Sequence, residues 1–167
     1  MKSLDRLRQI MNNEDYVTRN IDSEGEEFQI SHKTEQPCTA DDIKETEKTL
    51  KINIPDEYKK FLLQYNGATL FKLRNIDGLE IFGTSEILKN TSYAFEIFEE
   101  EWPGNIIIWG KIIAEEAYLG FEAGEHGDCT IVDCYFYDSP DNWHRINMSF
   151  DDFLYRYLES GEKFWIY

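Results

Sequence analysis

Three cysteines and three histidines are the side chains in this sequence with the chemistry of nucleophiles or soft metal ligands. Cys129 and Cys134 are close in sequence but lack the CxxC spacing of a structural zinc site, and Cys38 lies far from both. His126 and His144 do not complete a tightly spaced ligand set with them. Acidic neighbours also raise the pKa of a thiol and so make it a poorer nucleophile. We therefore expect free, packed thiols, no metal site and no catalytic cysteine.

Paired carboxylates are the other groups that could do chemistry, as general acid and general base. Glu115-Glu116 and Asp151-Asp152 are such pairs, but a chain with 33 acidic residues contains adjacent acids by chance. The sequence has no GxSxG, Walker, HExxH or GxGxxG motif. The sequence therefore predicts a protein that is not an enzyme and has no cofactor. A small hydrolase that uses clustered carboxylates is the less favoured alternative.

The overall charge excludes several classes of partner. The chain has 33 acidic and 17 basic residues among 167, a formal net charge of -16. Nucleic-acid binding needs Lys and Arg to displace counterions from phosphates, and an anionic membrane surface repels acids. We expect a basic protein partner, no nucleic acid and no membrane. The sequence opens without a signal-peptide-like run, and no apolar stretch approaches ~18 residues, so we expect a cytoplasmic protein.

Many of the acids collect in three segments, two of which contain tryptophan. One group lies beside Trp102, a second crowds a glycine-rich turn, and a third flanks Pro140 just before Trp143. Aromatic side chains supply contact energy at protein interfaces, while charges supply association rate and specificity. We interpret these segments as partner-binding loops, and a solvated surface that aids solubility as the alternative. The candidate partner-binding residues are Glu96, Glu99, Glu100, Glu101, Trp102, Glu122, Glu125, Asp128, Asp138, Asp141 and Trp143.

Helical periodicity is clear in four places. Thr39 and Asp42 resemble a capping box, Pro55 suits the first turn of a helix, and Ser149 is a good N-cap. Each is followed by apolar residues at helical spacing, and a short amphipathic pattern occurs near the start of the sequence. The predicted helices cover 4–11, 40–50, 55–65 and the segment from Ser149 to Gly161.

Beyond about residue 79 short apolar runs separated by turn residues replace the helical pattern. Strands are predicted over 79–82, 106–109, 118–121, 129–137 and 143–147, with a short strand or ordered loop near 28–30. Consecutive short strands favour antiparallel pairing over βαβ units. We therefore predict a single α+β domain with a mostly antiparallel, twisted sheet of about 5–6 strands flanked by helices. The apolar end, Phe164–Tyr167, is expected to dock on this body.

Three blocks of this sequence resemble the SUKH superfamily, the Smi/Knr-type domain. The first runs from Ile54-Pro55 through Tyr58 and Phe61-Leu62 to Asn66-Gly67, and is similar to the family's "LP..Y..FL...NG" pattern. The Ile-Ile-Ile-Trp-Gly run at 106–110 resembles its middle strand, and the block at 149–154 resembles its closing "SF..FL" helix. The likeness covers roughly 38–160. Ile54 replaces the usual Leu, and Ala68 stands where a second Gly is common.

The resemblance implies a fold and a role. The fold would be a mixed sheet with flanking helices over 38–167, with 1–37 adding a helix and an acidic loop or strand to the same domain. Most bacterial members look like immunity proteins that bind and block polymorphic toxin domains, many of them nucleases. A regulatory interaction or scaffold module without a toxin partner is the alternative. The matched first block is interpreted as structural, since its apolar residues suit a core.

Overall fold

The computed structural model describes residues 1–12, 19–21, 25, 27–73, 77–113, 115, 117–124 and 128–165, with the backbone alone for 19–21, 27 and 28. Five helices and eight strands occur within these residues. The helices are α1 (Lys2–Met11), α2 (Ala40–Leu50), α3 (Asp56–Leu62), α4 (Thr84–Phe98) and α5 (Phe150–Ser160). The strands are β1 (Arg19–Ile21), β2 (Glu27–Thr34), β3 (Ala68–Leu73), β4 (Asp77–Ile81), β5 (Ile106–Ile112), β6 (Ala117–Ala123), β7 (Cys129–Tyr135) and β8 (His144–Ile146). Short 3-10 turns cover Glu99–Glu101 and Pro140–Asn142.

The sheet is a meander in which each strand pairs with the next one along the chain. Strands β2 to β8 form a continuous antiparallel sheet, and the three-residue β1 pairs with β2 at its outer edge. This confirms the predicted α+β fold, although the strands outnumber the predicted five to six. All described pairings are antiparallel, so the mixed sheet that the family resemblance implied is not what these strands form. Strand β3 was not predicted.

Two helices begin as the sequence predicts. The Asp42 N–H donates to Thr39 Oγ1 at 3.2 Å, and the Thr39 N–H donates to Asp42 Oδ2 at 2.8 Å, which completes a reciprocal capping box for α2. At α5 the Asp152 N–H donates to Ser149 Oγ at 3.1 Å, and Gly161 ends the helix with φ 72°. Helix α3 is shorter than the predicted 55–65, because its last turn tightens: the Gln64 N–H donates to Phe61 O.

Helix α4 was not predicted, and it changes the setting of the acidic segment beside Trp102. Its 15 residues bury Ile87, Thr91 and Ala94 against the sheet. The buried Thr91 hydroxyl accepts a hydrogen bond from the Ile108 N–H at 3.0 Å, which ties the helix to β5. Glu96 therefore lies on a helix rather than in a loop.

Helices cover both faces of the sheet. Tyr118 and Phe121 are three residues apart on β6, so their side chains point to opposite faces. The Phe121 ring contacts Phe150 of α5, whereas the Tyr118 ring stacks on Phe136, which in turn contacts Phe98 of α4. Helices α4 and α5 therefore lie on opposite faces. Helix α1 packs against α5.

The end of the described chain docks on the α5 side. Trp165 is buried, its ring contacts Phe153 at 4.8 Å, and its Nε1–H donates to Asp133 Oδ2 at 2.6 Å. Phe164 also contacts Phe153. The predicted docking is confirmed for these two residues, and 166–167 lie outside the described residues. None of the described helices is both long enough and apolar enough to span a bilayer.

Candidate partner-binding surface

The C-terminal end of α4 carries several carboxylates close together, although negative charge at this end destabilises a helix. Glu96 lies in the last turn of the helix, and the three glutamates of the 3-10 turn follow at once; all four are exposed. The last turn contains no basic residue, and none of the four carboxylates forms an ion pair with another described residue. A helix C-terminus carries a partial negative charge, so acids placed there are destabilising. We refer to Glu96, Glu99, Glu100 and Glu101 as the acidic ridge.

The backbone of the ridge is also unusual. Glu99 has φ 44° and ψ -109°. These angles are close to the first central position of a type II′ turn, about +60° and -120°, where glycine dominates. A residue with a side chain is strained there. The strained residue ends α4 and begins the 3-10 turn, whose three glutamates are exposed.

A cluster of aromatic rings packs at the end of α4 that carries the acidic ridge. The Phe98 ring lies 6.4 Å from the Trp102 ring and 5.1 Å from the Trp143 ring. Trp102 and Trp143 are 6.0 Å apart, and Phe136 stacks on Trp143 at 5.9 Å. The cluster packs the helix end onto the segments around β8. Trp102 is half-buried within it.

Trp143 does not have the position that the sequence analysis assigned to it. Its side chain is 3% exposed, and its Nε1–H donates to Tyr135 O at 2.9 Å and to Asp138 O at 3.2 Å. Its apolar ring is held in the core by Phe98 and Phe136, so it offers almost no surface to a partner. Trp143 was predicted to contact the partner, but the structure places it in the core, where it supports the end of α4.

Two further candidate acids are already engaged within the chain. Glu122 is half-buried and accepts from Arg145 Nε at 3.2 Å and Nη2 at 3.0 Å. The hydrogen bonds with Glu122 raise the pKa of Arg145, which keeps its guanidinium charged. Asp138 Oδ1 accepts from the Ser139 N–H at 2.8 Å and from Asn142 Nδ2 at 2.9 Å, so it shapes the turn before β8. The side chain of Asp141 is exposed in that turn.

The remaining candidates lie at the β6–β7 hairpin. Asp128 is exposed, and the Gly124 N–H donates to its carbonyl at 2.9 Å. Asp128 also lines a groove of about 1020 Å³ that reaches Lys51, Asn105 and Met148. Glu125 lies outside the described residues. Ring contacts thus join Trp102 and Trp143 to Phe98, which directly precedes Glu99 of the ridge, while no described contact links Asp128 to them.

Sequence reasoning missed the exposed apolar residues next to the ridge. Tyr93, Phe95 and Ile97 of α4 are large and exposed, and so are Tyr135 at the end of β7 and Tyr137 just beyond it. Reading 84–98 as a helix would have found the first three, because buried Ile87, Thr91 and Ala94 define one face and leave these residues off it.

The two thiols of β7 are poorly suited to act as nucleophiles. Burial, then Asp128 and Glu122, raises the pKa of Cys129 to about 12, and burial raises that of Cys134 well above its usual value. Both thiols therefore stay protonated at neutral pH. No three His, Cys, Asp or Glu side chains among the described residues are grouped as metal ligands. What the site offers is charge and apolar contact area.

Comparison with known proteins finds two relatives and a family for this chain. The chain is 31% identical over 153 residues to the uncharacterized protein YobM of Bacillus subtilis strain 168, which covers 86% of this chain and 78% of YobM. It is 36% identical over 53 residues to the uncharacterized protein YnaB of the same organism, 32% of this chain and 33% of YnaB. The family model for the SMI1 / KNR4 family (SUKH-1) matches residues 37–156. Because this match spans more than half of the sequence, the chain belongs to the SMI1/KNR4 family, SUKH-1.

Proposed function

We propose that this chain is a cytoplasmic immunity protein that binds a basic cognate toxin domain and blocks it, with the acidic ridge as the centre of contact. Its family supports a role in protein–protein interaction. The observation that carries the proposal is the ridge itself: four exposed carboxylates, unpaired among the described residues, at the negative end of a helix dipole.

The arrangement costs stability when the protein is alone. Each exposed carboxylate at a helix C-terminus costs about 0.3–1 kcal/mol at low salt, and the strained backbone of Glu99 costs about 1–3 kcal/mol more. Local rules of this kind are broken mainly at functional sites. A cationic partner surface would remove the first of these costs, because its Lys and Arg residues would neutralise the glutamates.

A nuclease toxin fits this chemistry best. Its active face must be basic to hold phosphates, so an acidic surface can occupy the same face and exclude the nucleic acid. Inhibition of this kind needs binding alone, without catalysis by the immunity protein. The net charge of -16 would steer the basic toxin toward the chain at long range.

The test is charge reversal of the ridge. The triple variant Glu99→Lys, Glu100→Lys, Glu101→Lys is mixed with the toxin domain encoded beside the gene for this chain, and association is followed by stopped flow at several salt concentrations. We expect association to slow by about tenfold or more at low salt and to depend less on salt, because steering has been removed.

A control triple variant distinguishes the effect of charge at the ridge from the effect of the net charge of the chain. Glu35→Lys, Glu45→Lys and Glu162→Lys change the net charge by the same amount at exposed positions outside the ridge. We expect a much smaller effect from this triple. Equal slowing by both triples would remove the ridge from the interface, and failure of the wild-type chain to bind or inhibit the toxin domain would overturn the proposed function.

A further inference from the structure

Helix α4 exposes large apolar side chains on two different flanks. Tyr93 is 48% exposed, Phe95 57% and Ile97 43%. Tyr93 and Ile97 are four residues apart and therefore neighbours on one side of the helix, whereas Phe95 lies on the other side. We refer to Tyr93 and Ile97 as the anchor flank.

Within the anchor flank the Tyr93 ring packs on a neighbouring aromatic ring, whereas Phe95 does not pack on any described ring. The Tyr93 ring lies 6.3 Å from the Phe136 ring, which stacks on Tyr118 at 4.3 Å and contacts Phe98 edge-on at 5.3 Å. Phe95, although more exposed, has no ring contact with any described residue. A rigid aromatic side chain loses less conformational entropy on binding, which favours Tyr93 as an interface anchor.

The charges beside the anchor flank identify the kind of partner. Glu96 follows Tyr93 by three residues, so the two are neighbours on the helix surface, and the rest of the acidic ridge continues from there. Lys89 lies one turn before Tyr93. An anionic lipid surface would be repelled by the ridge. A second copy of the chain, docked symmetrically on this flank, would bring two acidic ridges together at a cost.

We propose that Tyr93 and Ile97 are the apolar anchors of the partner-binding surface, and that their occupant is a basic protein surface presenting an apolar side chain flanked by Lys or Arg. The inference rests on the proposed function and adds to it the chemistry of the partner. The anchors slow dissociation of the complex, while the ridge speeds its association. Interface energy concentrates in such packed anchors next to charged rims.

The test compares three single variants of the full chain, Tyr93→Ala, Ile97→Ser and Phe95→Ala, in binding to the neighbouring toxin domain by surface plasmon resonance. We expect Tyr93→Ala and Ile97→Ser each to raise the dissociation rate by about tenfold, with little change in association rate. Phe95→Ala should change it by less than about twofold. Because Ile97 is an exposed residue, Ile97→Ser keeps the test valid even if Tyr93→Ala loosens the Phe136 cluster; circular dichroism checks each fold.

The outcomes separate this inference from the proposed function. An effect of Phe95→Ala as large as that of the anchor variants would overturn the inference, and so would unchanged dissociation in both anchor variants. In either case slowed association in the ridge variant would leave the proposed function standing. A wild-type dimer that Ile97→Ser dissociates in analytical ultracentrifugation would show that a second copy occupies the flank, which overturns the inference. Absence of any wild-type binding would overturn both.

Discussion

A single hydroxyl links three parts of the core. Tyr58 of α3 is fully buried, and its hydroxyl lies 2.6 Å from Phe82 O and 3.0 Å from Trp109 O. Burial and the field of Glu86 raise the pKa of Tyr58 well above its usual value, so the group remains a donor. The Trp109 carbonyl already accepts from the Phe82 N–H at 2.8 Å. Phe82 O is therefore the acceptor that depends on Tyr58.

Removing that hydroxyl should destabilise the fold measurably. We expect Tyr58→Phe to lower the free energy of unfolding by about 1–3 kcal/mol, because it leaves the buried Phe82 carbonyl without its donor. Urea denaturation followed by tryptophan fluorescence measures the difference. Tyr65→Phe is the matched control, since Tyr65 also packs on Phe61 but its hydroxyl makes no hydrogen bond with a described residue. Equal effects of the two substitutions would contradict this role for the Tyr58 hydroxyl.

At the residue scale, the sequence predicted what depends on local spacing. Thr39, Asp42 and Ser149 cap their helices as predicted, because a capping bond joins residues three apart. Trp143 was assigned to a surface because acids surround it in sequence, yet it is buried by nearby Phe136 and by Phe98 from a distant segment. Long-range packing of this kind cannot be deduced from neighbours in the chain.

At the element scale, α4 is the largest feature that the sequence did not predict. Its exposed Tyr93, Phe95 and Ile97 blur the apolar stripe formed by Ile87 and Ala94. The last turn of α4 also contains no basic residue, although basic residues usually indicate the end of a helix. The features that obscured the helix are those on which the proposed binding surface rests, in line with the general expectation that local sequence rules fail mainly at functional sites.

The end of α4 should be easy to stabilise. Glu99→Gly relieves the strained backbone and removes one carboxylate from the negative end of the dipole, while glycine adds flexibility to the unfolded chain. We expect a net gain of about 1 kcal/mol, which raises Tm by about 2–4 °C in a domain of this size. Differential scanning calorimetry measures the shift.

Glu100→Gly is the control for that substitution. It removes the same charge, but Glu100 is not among the described residues with positive φ, so only the flexibility of glycine and the loss of charge remain. We expect no gain in Tm from it. If both substitutions raised Tm equally, charge rather than backbone strain would explain the effect.

For the whole molecule, the excess of acid is distributed unevenly. Many cations are engaged in ion pairs within the chain, such as Arg6 with Glu159 and Arg145 with Glu122. The acidic ridge has no such pairing among the described residues. Several of the described ion pairs are well exposed, as Lys44 with Asp41 illustrates, and pairs of that kind contribute little stability. With a net charge of -16, we therefore expect repulsion among the acids to affect stability more than these exposed ion pairs do.

Salt should consequently stabilise this protein. Raising NaCl from 0.01 M to 1 M shortens the Debye length from about 30 Å to about 3 Å, which screens the repulsion of a -16 chain and weakens exposed ion pairs that contribute little. We expect Tm to rise by a few degrees, as measured by calorimetry. The triple Lys variant of the ridge should show a smaller rise, because its repulsion is already reduced. A Tm that falls with NaCl would mean that the ion pairs dominate. The same screening should slow toxin association, so that salt stabilises the free protein while weakening the encounter that its charge promotes.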